Sequence, residues 1–264
     1  INDKGERRAV DWEFNAWGGL VDGLYFPWDQ DALVARKVCE LTDTDSYKTE
    51  DFVLEGGSIH VDGEGTVMVT EMCLLHPSRN PHLSKEEIEQ KLKDYLNCEK
   101  VIWVKDGIDP YETNGHIDDV ACFVRPGEVA CIYTEDENHP FYKEAKAAFE
   151  FLNEQTDAKG RKLKVHKMCV TKKPCYLKDA DTIDYSEGAI PREEGEVAIA
   201  SYLNFLIVNG GIILPQYGDE NDALAVEQVQ AMFPDRKVVG VETTEIAYGG
   251  GNIHCITQQQ PATK

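Results

Sequence analysis

Basic residues are scarce in this chain of 264 residues: 27 Lys and Arg stand against 48 Asp and Glu, for a formal net charge of −21. So few cations leave no basic face for a phosphate backbone, which excludes nucleic acid as a partner. The same negative field is compatible with a small cationic ligand, although by itself it is explained by solubility. A long apolar run is lacking too. The longest, Ala198 to Leu214, is broken by Asn204, Asn209, Gly210 and Gly211, so no membrane span is expected. The opening "INDKGERRAV" has no apolar core of the secretory kind. Paired cysteine spacings are absent among the eight cysteines, which favours reduced thiols in a cytoplasmic setting over a disulfide framework. Hydrophobic residues, at 42%, are numerous enough for a sizeable core and too numerous for disorder.

What is present is a repeat. Three stretches share the form Gly-x-Ile-His/Asp: "GSIHVD" from Gly57, "GHIDDV" from Gly115 and "GNIHCI" from Gly251. Each is expected to open a β-like run. After the first come Asp62-Gly63-Glu64-Gly65 and "TVMVT"; after the second, Arg125-Pro126-Gly127-Glu128 and "VACIYT". Glycine and proline between β-branched runs mark hairpins. A further hairpin joins "YLNFLIV" to "IILPQ" through Asn209, Gly210 and Gly211. A helix is expected after each. The first has a capping box of Ser84 and Glu87 before an Ile88, Leu92, Leu96 stripe. The second has Pro140 early in it and carries Phe141, Ala145, Phe149 and Leu152. The third carries Ala225, Val229 and Met232 and closes at Pro234. Short strands follow at 101–104, 163–168 and 237–242.

Hairpin, helix and strand thus form one unit, and such units must stack to cover their apolar faces. The chain opens like the second half of a hairpin and closes one strand into another. The expectation is a single catalytic α/β propeller domain over residues 1–264, N-terminally incomplete by roughly one unit. A closed ring would carry equivalent strands to one shared centre.

The chemistry sits on those strands. His116 and Asp118 in "ETNGHIDD" would share a face of a strand, two residues apart. Glu55 in "VLEGGS" precedes the equivalent strand of another unit. Cys255 follows a glycine run that allows close backbone approach, and its thiolate would become a nucleophile beside a cation, either protonated His116 or a positively charged substrate. A metal site of His116, Asp118, His254 and Cys255 is the weaker alternative. Adjacent His254 and Cys255 would face opposite sides of a strand, and no second Cys or His stands at the usual spacing.

Jointly, "DWEFNAWGG", "LEGGSIHVDGEGT", "ETNGHIDD" and "YGGGNIHCITQQ" resemble the agmatine deiminases, or agmatine iminohydrolases, of the guanidine-modifying pentein superfamily. The likeness runs from near residue 1 to about Gln259. It implies a five-bladed α/β propeller with no cofactor and no metal, assembled as a homo-oligomer, a dimer. It also implies hydrolysis of agmatine to N-carbamoylputrescine and ammonia in putrescine and polyamine biosynthesis. By resemblance, Cys255 is the nucleophile that forms an amidino-enzyme, and His116 is the acid and then the base. Glu55 and Asp118 hold the guanidinium, and Glu112 meets the distal amine. The family's upstream Arg-Asp-x-Gly-Pro motif, whose aspartate also binds the guanidinium, has no counterpart in this sequence. Two alternatives stand beside this reading. A hydrolase of free or methylated arginine would need an arginine for the substrate carboxylate, which none of the four motifs supplies. A non-catalytic pentein-type binding module would not require the set Cys255, His116, Asp118 and Glu55.

Overall fold

The computed structural model describes Ile1, residues 4–178 and residues 193–263. Residues 2 and 3 of the opening stretch lie outside the described residues. Three hairpin–helix–strand units follow one another, each a three-stranded sheet with one antiparallel and one parallel pairing. The first comprises β3 (His60–Val61), β4 (Thr66–Thr70), helix α4 (Lys85–Leu96) and β5 (Lys100–Val104). β6 (Ala121–Arg125), β7 (Glu128–Tyr133), α5 (Tyr142–Glu154) and β8 (Lys164–Cys169) make the second. The third contains β9 (Leu206–Val208), β10 (Gly211–Gln216), α6 (Asp222–Met232) and β11 (Lys237–Glu242). Every expected hairpin, helix and closing strand of the three units is present.

Local chemistry sets these units. Ser84 Oγ accepts from the Glu87 N–H at 3.2 Å while the Glu87 carboxylate accepts from the Ser84 N–H at 2.8 Å, so the capping box forms as expected. Ile88 and Leu92 of α4 are fully buried, each stabilising by about 1.5–3 kcal/mol. The second helix begins later than expected, at Tyr142, two residues after Pro140. Between β6 and β7, Arg125 pairs with Glu128, so Pro126 and Gly127 alone make the turn. Gly127 has φ +79°, a left-handed conformation that disfavours a side chain.

The opening segment is half a unit. β1 (Ala9–Glu13) lies parallel to β2 (Ser46–Val53), with α1 (Gly19–Asp22) and α2 (Val34–Leu41) between them. Among the described residues no antiparallel strand joins this pair. α3 (Glu71–Leu74) follows β4. One apolar core spans the second and third units and reaches Met68 and Ile102 of the first. A smaller one collects Phe52, Leu54, Val67, Ile88 and Leu92. No helix among the described residues is long and apolar enough to cross a membrane.

Two expectations about the backbone of the site-bearing segments fail. The Gly251 stretch does not open a strand. After α7 (Thr244–Ala247) the chain coils, with the Ile256 N–H bonded to the Asn252 carbonyl at 3.2 Å and the Thr257 N–H to the His254 carbonyl at 3.1 Å. Asn252 starts this turn by accepting the Ile253 N–H on its own side chain at 2.9 Å, which is how asparagine diverts backbone from a sheet. Likewise His116 and Asp118 are not on a strand. They sit on a 3₁₀ turn, Ile117–Asp119, ahead of β6.

Candidate active site

The functional side chains gather where the units begin. Glu55 precedes the short 3₁₀ turn Gly56–Ser58 that leads to β3, and its carbonyl is held by Ser58 Oγ at 2.6 Å. The His116 turn is pinned from below. Asp109 Oδ2 accepts both the N–H and the hydroxyl of Thr113 at 2.8 Å, and Thr70 Oγ donates to the Gly115 carbonyl at 2.6 Å. Cys255 lies on the C-terminal turn. Gly57 sits between these segments. A Cβ there would stand 2.5 Å from His116 Nδ1 and 2.8 Å from Asp118 Oδ2, so only glycine fits. Gly251 plays the matching part for the sulfur, since a Cβ would come within 2.9 Å of Cys255 Sγ. The close approach expected of the glycine run is real.

Two linked clusters result. In the first, His116 Nε2 is 3.3 Å from Glu55 Oε2, and the buried Cys73 thiol donates to the same oxygen at 3.9 Å. Burial disfavours the imidazolium of His116, but contact with Cys73 and Glu55 outweighs it and raises the ring well above its ordinary value. Glu55 is itself held down. Burial opposes its charge, while His116 and then Arg79 more than compensate. Arg79 Nε lies 2.7 Å from Glu55 Oε1, and its other nitrogens donate to Asn114 Oδ1 at 2.8 Å and the Thr113 carbonyl at 3.0 Å.

In the second cluster, the Cys255 sulfur is 3.4 Å from Asp118 Oδ2 and His254 Nδ1 is 2.9 Å from the same oxygen. The expected opposition of His254 and Cys255 therefore does not hold, because they lie on a turn rather than a strand. Asp118 is buried, yet His254, His116 and the thiol keep its carboxyl below the usual range. Its other oxygen, Oδ1, is buried with no hydrogen-bond partner among the described residues, an acceptor left with spare capacity. Cys255 is the exposed cysteine of the described set. Even so, the protein around its sulfur, then Asp118 and Asp119, drive the thiol strongly upward. Burial and the Asp118 and Asp109 charges raise Asp119 well above the carboxylate range. His60 stacks on His254 at 6.1 Å; burial and then His254 depress it to about 4.

Four of the five residues expected from the sequence, Glu55, His116, Asp118 and Cys255, are thus drawn into these clusters. Glu112 is half-buried on the Asp109 turn, its N–H held by Asp109 Oδ1 at 3.0 Å, four residues before His116. Sequence reasoning missed Arg79, Cys73 and Asn204. Donor atoms of Glu55, Cys73 and His116, and of Asp118, Asp119 and Cys255, fall within 4.8 Å of one another in each set. These spacings would admit an ion, but Glu55 is already shared by Arg79 and His116.

A thiol, a proton-bearing imidazole and buried carboxylates thus meet beside the repeated sheet units of a mixed α/β protein. Residues 2–261 match the Porphyromonas-type peptidyl-arginine deiminase family, and the chain belongs to that family. It is 86% identical over 263 residues to a Streptococcus mutans protein provisionally described as an agmatine deiminase, covering 100% of this chain and 71% of the relative. With the agmatine deiminase of Pseudomonas aeruginosa it shares 54% identity over 266 residues, 100% of this chain and 72% of the relative. A solved structure described as the agmatine deiminase of Enterococcus faecalis catalysing its reaction superposes with a TM-score of 0.97. The identity is 69%, over 99% of this chain and 72% of that one.

Proposed function

We propose that this chain hydrolyses agmatine to N-carbamoylputrescine and ammonia, with Cys255 as nucleophile and His116 as acid and base. The observation that carries the reading is the 3.4 Å approach of Cys255 Sγ to Asp118, whose second oxygen is unpartnered among the described residues. A guanidinium held by Asp118 would bring its carbon to the sulfur. Positive charge there also offsets the carboxylates that keep the thiol protonated, so the substrate promotes its own attack.

The steps balance. The thiol releases its proton to solvent as Sγ bonds to the guanidinium carbon, and the carbon–nitrogen π pair moves onto nitrogen to give a neutral tetrahedral adduct. The bond to one terminal nitrogen breaks, and His116 supplies the proton with which ammonia departs. The amidino group remains on sulfur. Water then loses a proton to His116 and attacks the same carbon. The carbon–sulfur bond breaks as the adduct's hydroxyl proton passes to sulfur, so the ureido product leaves and the thiol is restored. A histidine whose proton is strengthened by Glu55 suits the first half, and covalent attack divides one high barrier into two lower ones.

The roles implied by resemblance shift in one respect. Glu55 Oε1 faces Arg79 in an ion pair and Oε2 meets His116, so its contacts support orienting and charging His116 more than clasping the guanidinium. Glu112, half-buried on the Asp109 turn, is proposed to meet the distal amine. The units support a five-bladed propeller as the architecture, and the same reading carries a homodimer and a cytoplasmic setting in polyamine biosynthesis.

A substrate panel tests the proposal. Ammonia and a ureido product should appear from agmatine and not from arginine or methylarginine. Cys255→Ser should abolish turnover, and trapped enzyme should show an amidino mass on the Cys255 peptide. Undiminished turnover in Cys255→Ser would remove the nucleophile.

A further inference from the structure

We infer that Asn204 is a positioning residue for the reactive sulfur, its side-chain amide gripping Cys255 at two points and turning an N–H onto Sγ. The inference rests on reading Cys255 as the nucleophile. Asn204 stands just ahead of β9 and is completely buried. Its Oδ1 accepts from the Cys255 N–H at 3.1 Å. Nδ2 donates to Cys255 Sγ at 3.0 Å and to Asp119 Oδ1 at 3.0 Å. Its main-chain carbonyl accepts from the His254 N–H at 3.0 Å.

The amide cannot be turned over. The Cys255 N–H is a donor only, so an oxygen must face it, and the nitrogen is thereby directed at the sulfur and Asp119. Its two hydrogens then have one acceptor each. A buried asparagine so fully engaged is held rigidly, and it fixes the sulfur in turn.

The sulfur needs such a donor. Asp118 and Asp119 face it from the turn before β6, the Tyr217 hydroxyl lies beyond the end of β10, and His254 reaches it through Asp118. The protein around the sulfur and then the Asp118 charge oppose a thiolate. The Asn204 amide works in the other direction, together with the Asn252 backbone. A hydrogen bond to an ionised acceptor is stronger than one to a neutral acceptor, so this contact favours thiolate over thiol, which anchoring of the backbone alone would not do.

The test is the rate at which iodoacetamide alkylates Cys255 in the full chain, followed by peptide mass spectrometry at several pH values below the thiol midpoint. Asn204→Ala removes both contacts without adding charge. Loss of the thiolate donor should slow alkylation about tenfold, with kcat for agmatine falling 10- to 100-fold and KM moving only a few-fold. A residue that merely anchors the turn predicts the reverse: a loosened, more accessible thiol alkylated as fast or faster, and that outcome overturns the inference. If Asn204→Ala does not fold, the similarly sized Asn204→Leu likewise removes the donor without adding charge. Slower alkylation sustains the proposal, and an unchanged or faster rate overturns it. Alkylation needs no turnover, so an error in the proposed reaction shows separately, as activity surviving in Cys255→Ser.

Discussion

Arg79 Nε lies 2.7 Å from Glu55 Oε1, and the two side chains are 1% and 7% exposed. A buried pair of this kind is costly to break, because the surviving charge has neither partner nor water. Arg79→Met should therefore lower stability by about 3–5 kcal/mol, read as a reduced denaturant midpoint at unchanged slope.

Removing the other side of the relay should act on protons. Glu55→Gln leaves His116 without its carboxylate, so the imidazole titrates lower. The alkaline limb of the kcat profile should move to lower pH, and kcat should fall by roughly 100-fold. A limb that stayed in place would mean that Glu55 does not set the charge of His116.

The same pair makes a stability prediction. His116 is raised above its ordinary 6.5 in the folded chain, so its contribution is complete below that value and fades as pH rises through the folded one. Glu55 is depressed below its ordinary 4.5, so its contribution is complete above 4.5 and is lost as pH falls through the depressed value. Between about 4.5 and 6.5 both are intact. Melting curves across pH should show the gap between wild type and Glu55→Gln widest in that window.

Space at the centre gives a further prediction. Gly251→Ala pushes a methyl within 2.9 Å of the sulfur, and Gly57→Ala one within 2.5 Å of His116 Nδ1. Displacement of reacting atoms by about 1 Å costs roughly 100-fold. Each variant should retain its circular dichroism and melt cooperatively while losing turnover on that scale.

Trp12 should behave in the opposite way. Its ring meets Phe52 and Tyr95 edge-on at 5.9 and 5.4 Å, a packing role. Trp12→Ala should cost about 3 kcal/mol and leave kcat/KM of the folded enzyme within about twofold, measured below its melting temperature.

The repeating units were legible because each is announced locally. Ser84 and Glu87 mark one helix start, and Pro126 with Gly127 marks one turn. The Gly-x-Ile likeness pointed correctly to chain starts that meet at one place, but it misassigned the local backbone. A glycine followed by a β-branched residue suits a strand as well as a tight turn, and the Asn252 side chain decided between them. Arg79 left no trace, since a lone arginine in "HPSRN" resembles any surface charge. Asn204 did leave one. A polar side chain inside "SYLNFLIV" must find partners once buried, and it signals more than an interruption of an apolar run.

The surroundings of Cys255 also bear on its durability. Peroxides and disulfides are attacked by the thiolate, not by the protonated form. A solvent-exposed cysteine would ordinarily meet oxidants as well. Here the protein around the sulfur, and then the Asp118 charge, raise the thiol strongly, so its accessibility is separated from its vulnerability.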